Sequence, residues 1–469
     1  MGFGYRGRIL RVDLSARSIS VEEHGEGFYR TYLGGKGFVG YYLLREVPAG
    51  VDALGPDNIL VFATGVMAGT NVPGFSRVVV GAKSPLTDGY GESEVGGSWG
   101  MELKRAGYDG LVVRGCSPTP VYLAIADDEV QIRDARELWG CSTGKAERRL
   151  GQDFPRKPAV MSIGPAGERL VRFACIMQGD RNAAGRGGMG AVMGSKNLKA
   201  IAVLGSKKVE VSDSAAIKDI ACWFAKNFKD NAPSVALHES GTAGLIPSFQ
   251  AAAILPTRNF SRGQFDGWKA IAQFSNGWGR YEVRGRGCLG CPIRCKRTFK
   301  ITDGSVPADD GLAAGPEYET VAAFGSNLCI EDLTTILKAN IYCNEMGLDT
   351  ISAGVTLGFI MECRERGLVD DECLRDLDVR FGNPACVLPL LEMICERRGI
   401  GDLLAEGSMR ASQEIGQGSE RFAMHVKGQE LPMHDPRGKT GVGLGYALAD
   451  HGADHMTAAH DPIFAQPGA

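Results

Sequence analysis

The chain has 469 residues, of which 44% are hydrophobic and 23% are charged, and its formal net charge at pH 7 is −3. A chain of this length forms two or three domains with cores of their own. A slightly acidic balance without a basic block argues against nucleic acid as the main partner. No apolar run reaches membrane-spanning length and the first residues lack the apolar core of a secretory signal, so we expect a cytoplasmic protein.

Short β-branched runs separated by Gly, Pro and Asp dominate the N-terminal part and predict strands. These runs are Ile59–Ala63, Arg77–Gly81, Gly110–Arg114, Val121–Ile125 and Ala200–Leu204. Helical patterns follow at Ala215–Phe228, behind the N-cap candidate Ser212-Asp213-Ser214, and at 332–346, 350–366 and 386–398. The predicted fold class is therefore α+β: a β-rich N-terminal domain over 1–207, a mainly helical domain over 208–415 and the start of a third, helical domain over 416–469.

Glycine is the compositional outlier, with 65 residues in the chain. Two clusters lie in the N-terminal domain, at Gly89–Gly100 and Asp180–Lys196, and Gly74-Phe75-Ser76-Arg77 is a third segment, which combines a glycine with an arginine. Such runs expose consecutive backbone N–H groups, which suit phosphate. Neither cluster has the register of a Walker P-loop or the context of a dinucleotide fingerprint. Glycines that only serve tight turns are the alternative, but three such segments favour a phosphate-bearing cofactor.

Three cysteines stand in a C-x-x-C-x-x-x-C spacing at Cys288, Cys291 and Cys295. We expect Pro292 to open a helix, which would place Cys291 and Cys295 on one face with Cys288 approaching from the preceding loop. Three converging thiolates beside Arg294, Lys296 and Arg297 are typical of an iron–sulfur cluster. A structural zinc site and three unrelated buried cysteines are the alternatives.

Several motifs together resemble the tungsten- (or molybdenum-) containing aldehyde:ferredoxin oxidoreductase family. They are Gly7-Arg8-Ile9-Leu10-Arg11-Val12-Asp13-Leu14, Tyr32-Leu33-Gly34-Gly35-Lys36-Gly37, Leu255-Pro256-Thr257-Arg258-Asn259-Phe260 and Asp435-Pro436-Arg437-Gly438. The resemblance implies two N-terminal sheets that form a base beneath a metal held by two pterins, with Mg²⁺ bridging the pterin phosphates.

The resemblance also implies which residues bind the cofactors. The matching phosphate and Mg²⁺ segments contain Arg77, Glu94, Gly96, Gly97, Asn182, Ala183, Ala184, Gly185, Arg186 and Gly187. The family's D-x-x-G-L-D pterin motif matches Asn344, Gly347, Leu348 and Asp349, with Asn344 in place of the first Asp. The three cysteines match ligands of a [4Fe–4S] cluster whose fourth cysteine lies in a second motif beyond residue 469. We therefore expect a C-terminally truncated member or one part of a longer protein.

The implied activity is oxidation of aldehydes to carboxylic acids, with electrons leaving through the cluster to ferredoxin or an iron–sulfur partner subunit. Glu319 is the leading candidate for proton transfer, Glu317 the second, and His455 a hydrogen-bond donor to the substrate carbonyl. Cys329 is expected to be a core cysteine rather than a metal ligand. A tungsten reductase of the benzoyl-CoA-reductase type and a non-catalytic remnant are the alternatives, and a homo- or hetero-oligomer stays open.

Overall fold

Two units make up the chain in the computed structural model, which describes residues 3–272, 282–288, 290–300, 312–374, 377–457 and 460–461. The first unit consists of Met1–Val235, Gly287–Arg294 and Asn344–Leu348. The second consists of Ala236–Arg286, Cys295–Cys343 and Asp349–Ala469. Two short segments remote in sequence, the loop Gly287–Arg294 and the segment Asn344–Leu348, therefore belong with the β-rich N-terminal part.

Twelve named strands of the first unit form two six-stranded sheets. They are β1 (Arg8–Asp13), β2 (Ser18–Glu23), β3 (Leu60–Thr64), β4 (Val78–Lys83), β5 (Tyr90–Val95), β6 (Gly110–Arg114), β7 (Val121–Ala126), β8 (Glu129–Asp134), β9 (Ala159–Ser162), β10 (Ile176–Gln178), β11 (Asn182–Ala184) and β12 (Leu198–Leu204). The orders are β2-β1-β6-β3-β4-β5 and β11-β10-β9-β12-β7-β8. Each sheet contains one parallel pair, β1 with β6 and β7 with β12, among antiparallel ones.

The two sheets share one hydrophobic core, because β-branched and aliphatic side chains of both fill it. Strands buried on both faces have continuous apolar runs rather than alternating ones. β3 and β4 have this form, and so does β12 apart from its buried Lys199. The indole of Trp99 is fully buried in this core, and its Nε1 donates a 3.0 Å hydrogen bond to the Ile201 carbonyl. This contact links the glycine-rich segment after β5 to the second sheet.

Helices of the first unit lie between or after these strands. They are α1 (Glu26–Tyr32), α2 (Lys36–Glu46), α3 (Trp99–Ala106), α4 (Thr143–Leu150), α5 (Pro165–Glu168), α6 (Met189–Ser195) and α7 (Ser214–Asn227), and α8 (Ala232–Ser240) crosses the unit boundary. The Asp213 side chain caps α7 by accepting a 2.9 Å hydrogen bond from the Ala216 N–H. This confirms the N-cap predicted at this position.

The described part of the second unit is mainly helical. Its helices are α9 (Ile246–Ala251), α10 (Trp268–Ile271), α11 (Tyr318–Phe324), α12 (Leu333–Met346, whose last residues fall in the first unit), α13 (Thr350–Glu365), α14 (Val387–Glu396), α15 (Ile400–Leu404), α16 (Ser408–Ile415) and α17 (Thr440–Leu448). Its strands are β13 (Glu282–Arg286), β14 (Lys296–Lys300), β15 (Leu312–Ala314), β16 (His425–Val426) and β17 (Gln429–Glu430). The predicted α+β class, β-rich first and helical afterwards, is confirmed.

The prediction that a helix opens at Pro292 is wrong. Residues 291–295 have no helical backbone, and β14 begins directly afterwards at Lys296. Gly290 and Arg294 adopt left-handed φ values of +71° and +51°, which interrupt any right-handed helix. The flanking strands β13 and β14 pair antiparallel, with Arg286 opposite Lys296, so the cysteine motif connects two strands of a hairpin.

No helix in the described ranges combines the length and apolar character needed to cross a bilayer.

Candidate cofactor site and active site

The two glycine-rich segments of the first unit meet at sheet edges. Strand β5 is an edge strand of the first sheet, and β11 is an edge strand of the second. The backbone N–H of Arg186 donates to Ser93 Oγ at 3.1 Å, and Ser84 Oγ donates to the Gly187 carbonyl at 2.8 Å. The structure therefore brings together the Glu94–Gly97 and Asn182–Gly187 segments, both of which were predicted to hold phosphate and Mg²⁺.

The turn after β5 forms a cradle that excludes side chains. Gly97 has φ +118°, and a Cβ there would collide with the side-chain amide of Gln178. That amide is held in place because the Trp99 N–H donates to Gln178 Oε1 at 3.2 Å. A Cβ on Gly96 would come 2.8 Å from Cys288 Sγ. Only glycine permits this close approach of backbone to a ligand or thiol, so the arrangement fits a phosphate-bearing cofactor beside a cysteine site.

Charged side chains accompany this turn. Arg77 Nη1 lies 3.4 Å from Glu94 Oε2, and Lys36 Nζ lies 2.5 Å from Glu92 Oε1. The Arg77 side chain is 52% exposed, so its guanidinium faces solvent beside the cradle. A guanidinium suits phosphate and a carboxylate suits Mg²⁺, and the pair offers both chemistries in one place.

The cysteine loop of the first unit is a tight turn. The Cys291 N–H donates to the Cys288 carbonyl at 3.1 Å, and Gly290 allows the turn with its positive φ. A cavity of about 360 Å³ opens beside it, lined by Gly287, Cys288, Gly290, Cys291, Pro292 and Arg294. Cys295 belongs to the second unit. Among the described side chains no three of His, Cys, Asp and Glu form a preassembled metal group, so the ligand roles of the three cysteines stay a prediction.

The pterin motif is anchored in the first unit up to Leu348. Asn344 Nδ2 donates to the carbonyl of Asp180, the first residue of the second glycine cluster, at 3.2 Å. The Gly347 carbonyl accepts a 2.8 Å bond from the Cys175 N–H, and Leu348 bridges to Ala174. An ionised Asp in place of Asn344 could not donate to a carbonyl, which gives the family-divergent Asn a physical reason.

Asp349, the last residue of that motif, serves as the N-cap of α13 in the second unit. Its carboxylate accepts from the Ile351 N–H at 3.0 Å and from Ser352 Oγ at 2.8 Å. Both carboxylate oxygens are thus already engaged with the helix N-terminus. The structure gives Asp349 a structural role in addition to the predicted pterin contact.

The second unit holds Glu319 in a buried, ionisable cluster. Glu319 lies in the first turn of α11, and its side chain is 13% exposed. Its Oε2 accepts from the Met433 N–H at 2.8 Å. Its Oε1 lies 2.9 Å from His434 Nε2 and 4.0 Å from His455 Nε2. His434 Nε2 is within hydrogen-bonding distance but not ideally aligned, so among the described residues Oε1 is a buried oxygen that keeps accepting capacity for a proton or a water.

Protonation follows from these contacts. Burial opposes ionisation of Glu319, but the neighbouring His455 and His434 outweigh it and the pKa of the carboxyl lies below its ordinary value. Burial lowers the pKa of His434 in spite of the opposing carboxylate. At neutral pH the cluster therefore contains an ionised carboxylate, and the neutral His434 stabilises it through its Nε2–H rather than through charge. An ionised carboxylate with an unfilled oxygen can accept a proton or orient water.

His434 and Lys439 are functional candidates that the sequence reasoning did not single out. The turn Asp435–Gly438 brings them together, since the Lys439 N–H donates to the Asp435 carbonyl at 3.0 Å. Arg437 braces the turn through two nitrogens on the Asp435 carboxylate, at 2.9 and 2.6 Å. The sequence feature that could have identified them is that two basic residues flank the Asp435-Pro436-Arg437-Gly438 motif. Nothing in that spacing indicates a contact with Glu319.

Glu317 is placed differently from Glu319. It occupies the N-cap position of α11, where Oε2 accepts from Thr242 Oγ1 and Oε1 lies 3.3 Å from Lys296 Nζ. Its side chain is 35% exposed. Both oxygens are engaged in contacts that fix the start of α11, so the geometry favours Glu319 over Glu317 as the proton-transfer group. Cys329 lies just after α11 with a left-handed φ of +58°, and burial raises the pKa of its thiol.

Family models match almost the whole chain. The model described as "Aldehyde ferredoxin oxidoreductase, N-terminal domain" matches residues 9–205, and "Aldehyde ferredoxin oxidoreductase, domains 2 & 3" matches residues 219–467. The first range contains both sheets and the second contains Glu319, the cysteine motif and His455. The domain limits predicted at 207 and 415 stay a prediction.

Individual relatives agree with this assignment. The chain is 43% identical to a "Tungsten-containing aldehyde ferredoxin oxidoreductase" of Pyrococcus horikoshii over 97% of its length and 74% of that protein's. It is 34% identical to an "Aliphatic sulfonate oxidoreductase, WOR-like subunit" of Pyrococcus furiosus, over 98% of its own length and 76% of that protein's.

Among solved structures, the fold is similar to the "Active site complex BamBC of Benzoyl Coenzyme A reductase in complex with 1,5 Dienoyl-CoA". The TM-score is 0.81 at 31% identity, covering 92% of this chain and 67% of that one. The relatives are oxidoreductases, and membership implies a tungsten–pterin cofactor. The chain belongs to the aldehyde ferredoxin oxidoreductase family of oxidoreductase enzymes.

Proposed function

We propose that this enzyme oxidises aldehydes to carboxylic acids at a tungsten (or molybdenum) ion held by two pterins. Electrons leave through a [4Fe–4S] cluster to ferredoxin or to an iron–sulfur partner subunit, in a homo- or hetero-oligomer. The observation that supports the proposal most is the buried Glu319 carboxylate between two histidines in a chain of this family. A carboxylate kept ionised and out of water is the group that proton abstraction from an aldehyde hydrate needs.

The residues of the first unit fit the expected cofactor. Backbone N–H groups around Gly96, Gly97 and Gly185–Gly187, together with Arg77 and Arg186, would hold the pterin phosphates, and Glu94 with the Asn182–Ala184 strand would hold Mg²⁺. Asn344, Gly347, Leu348 and Asp349 would face a pterin. Cys288, Cys291 and Cys295 would bind the cluster. When bound, the tungsten cofactor supplies Lewis acidity and a two-electron acceptor.

The reaction balances as R–CHO + H₂O → R–COOH + 2 H⁺ + 2 e⁻. Glu319 would take one of these protons at Oε1, the oxygen left without an aligned donor. His455, with Nε2 4.0 Å from the same oxygen, would donate to the substrate oxygen. The side chains of Glu319 and His455 are only 13% and 20% exposed, and this limited contact with water strengthens both interactions.

The test is aldehyde-dependent reduction of a viologen dye by protein purified without oxygen, with tungsten, molybdenum and iron measured in the same sample. The proposal expects dye reduction by aldehydes and bound tungsten or molybdenum. A metal-containing protein that reduces no dye with any aldehyde would contradict the proposal. A colourless, metal-free product from cells supplied with tungstate would also count against it.

A second candidate is a reductase of the benzoyl-CoA type. It is favoured by the fold similarity to the BamBC complex at a TM-score of 0.81. The same dye assay separates the two functions, since the second candidate expects dye reduction with a dienoyl-CoA thioester and none with aldehydes.

A further inference from the structure

Lys439 is a buried ammonium with unusual partners. The residue is 1% exposed. Its Nζ lies 2.8 Å from His434 Nδ1, 3.3 Å from His460 Nδ1 and 3.9 Å from the centre of the Phe249 ring. No carboxylate among the described residues pairs with it within the 4.0 Å of an ion pair. Its immediate partners are thus two imidazole nitrogens and one aromatic face. The nitrogens can accept hydrogen bonds from an ammonium, and the aromatic face can form a cation–π contact with it.

The chemistry of an ammonium sets the direction of these bonds. A protonated lysine has three donors and no acceptor, so each Nδ1 facing it must be the unprotonated nitrogen of a neutral ring. The proton of each ring is then on Nε2. One charged group thereby selects the tautomer of two histidines.

Both selected tautomers serve the candidate catalytic residues. His434 Nε2, carrying the proton, lies 2.9 Å from Glu319 Oε1. His460 Nε2, carrying the proton, lies 2.9 Å from the His455 carbonyl, to which it donates. The second contact is independent of the first and requires the same tautomer, because a carbonyl can only accept. Lys439 is thus connected to Glu319 through one imidazole and to the backbone of His455 through another.

We propose that Lys439 is a positioning residue that fixes the tautomers of His434 and His460, and through them orients Glu319 and His455 for proton transfer. The inference rests on the proposed function for its kinetic consequence, whereas the tautomers themselves do not depend on which reaction the enzyme performs. Lys439 touches neither cofactor nor substrate in this account.

The electrostatic surroundings make the contacts of Lys439 with the two histidines sensitive to alkaline pH. Burial lowers the pKa of Lys439 to about 8, against the opposing charges of Glu319 and Asp461. The other titratable groups around Lys439 and its two imidazoles are Tyr318, Tyr446, Asp435 and His455. Below this pKa the ammonium donates to both Nδ1 atoms. Above it the charge is lost and each Nδ1 keeps at most a neutral amine as its donor, so the hold of Lys439 on the two rings weakens.

Kinetics give the first test, with kcat and KM for an aldehyde measured between about pH 6 and pH 9.5. The wild-type kcat should fall above pH 8 with KM little changed. Lys439→Gln should lower kcat about tenfold, as for one pKa unit of lost interaction, and remove the alkaline fall. Lys439→Arg, whose guanidinium stays charged, should keep kcat level past the pH at which the wild type declines.

Lys427→Gln is the matched control, since Lys427 is an exposed lysine that donates to the Ala449 carbonyl at 2.7 Å. It should keep the wild-type pH profile. An alkaline fall that persists unchanged in Lys439→Arg and Lys439→Gln would overturn the kinetic role of Lys439.

Nitrogen NMR of ¹⁵N-histidine-labelled, oxidised enzyme gives the second test without using turnover, since the chain has seven histidines. Two of them should show a protonated Nε2 and an unprotonated Nδ1 at neutral pH, and both should change together as pH rises through about 8. In Lys439→Gln the Nδ1 signals of those two rings should shift from their wild-type positions and no longer change through about pH 8, because the charged donor is gone. Protonated Nδ1 atoms on His434 and His460 in the wild type would refute the inference even if aldehyde oxidation is found. Fixed Nε2–H tautomers without aldehyde oxidation would contradict only the proposed function.

Discussion

The cofactor region of the first unit is formed mainly by backbone, whereas the ionisable cluster of the second unit is formed by side chains. The first uses backbone: glycine turns after β5 and β11, a cysteine loop and carbonyls that anchor residues 344–348. The second uses side chains that come from separate parts of the chain, with Glu319 on α11 and His434, Lys439 and His455 more than a hundred residues later. Local backbone sites leave compact motifs in a sequence, whereas a packed charge cluster does not.

If the first region holds the cluster by thiolates, Cys291→Ser should remove it almost entirely, which is the largest effect we expect. Serine is a poor ligand for iron because its hydroxyl stays protonated near neutral pH. Iron content and the broad visible absorption of the purified protein measure the loss. Cys222→Ser is the control, because Cys222 is an exposed free cysteine on α7. Equal iron in both variants would show that Cys291 is not a ligand.

If the second region carries the proton transfer, Glu319→Gln should lower kcat by about a hundred- to ten-thousand-fold. The amide keeps the shape and can still accept from the Met433 N–H, but it cannot take a proton. Tungsten and iron contents should stay at wild-type values, because Glu319 belongs to the unit without the glycine cradle. Loss of metal in this variant would contradict the assignment of cofactor binding to the first region and proton transfer to the second.

Asn344→Asp probes the backbone character of the first region. The carboxylate would face the Asp180 carbonyl that Asn344 now donates to, and an unfilled carbonyl costs about 1 kcal/mol in unfolding free energy. The carbonyl raises the pKa of the introduced carboxyl, so the penalty should be full at neutral pH and disappear as acid protonates the group. Thermal unfolding at two pH values measures it. Asn227→Asp, at an amide exposed to water, should show a smaller loss, and equal losses would deny Asn344 its anchoring role.

Glu317→Gln should have the smallest effect, since the lost ion pair with Lys296 is partly exposed. Such pairs contribute about 0.2–1 kcal/mol, and Gln can still accept from Thr242. We expect unfolding free energy to fall by that amount and kcat to stay within about twofold. A large fall in kcat would move the proton-transfer role from Glu319 to Glu317.

The sequence predicted the parts of the molecule whose cause is local. β-branched runs became β3, β4, β6, β7 and β12, and the patterns at 332–346 and 350–366 became α12 and α13. The expected helix at Pro292 failed because a proline also suits a turn, and the neighbouring left-handed residues made it part of a hairpin connection.

The candidate site was predictable only where a motif names its residues. Glu319 and His455 entered through family resemblance, and the structure places them 4.0 Å apart. His434 and Lys439 were missed because the contact of His434 with Glu319, and of Lys439 with His434, depends on how a turn packs against α11. No periodicity or spacing encodes such a tertiary contact.

The most direct test of the account compares Glu319→Gln and Glu317→Gln in one aldehyde-dependent dye-reduction assay, with tungsten measured in each sample. Both variants should contain tungsten as the wild type does, and only Glu319→Gln should lose turnover, by at least about a hundredfold. Equal turnover in the two variants would contradict the claim that the buried carboxylate of the second unit performs the proton transfer.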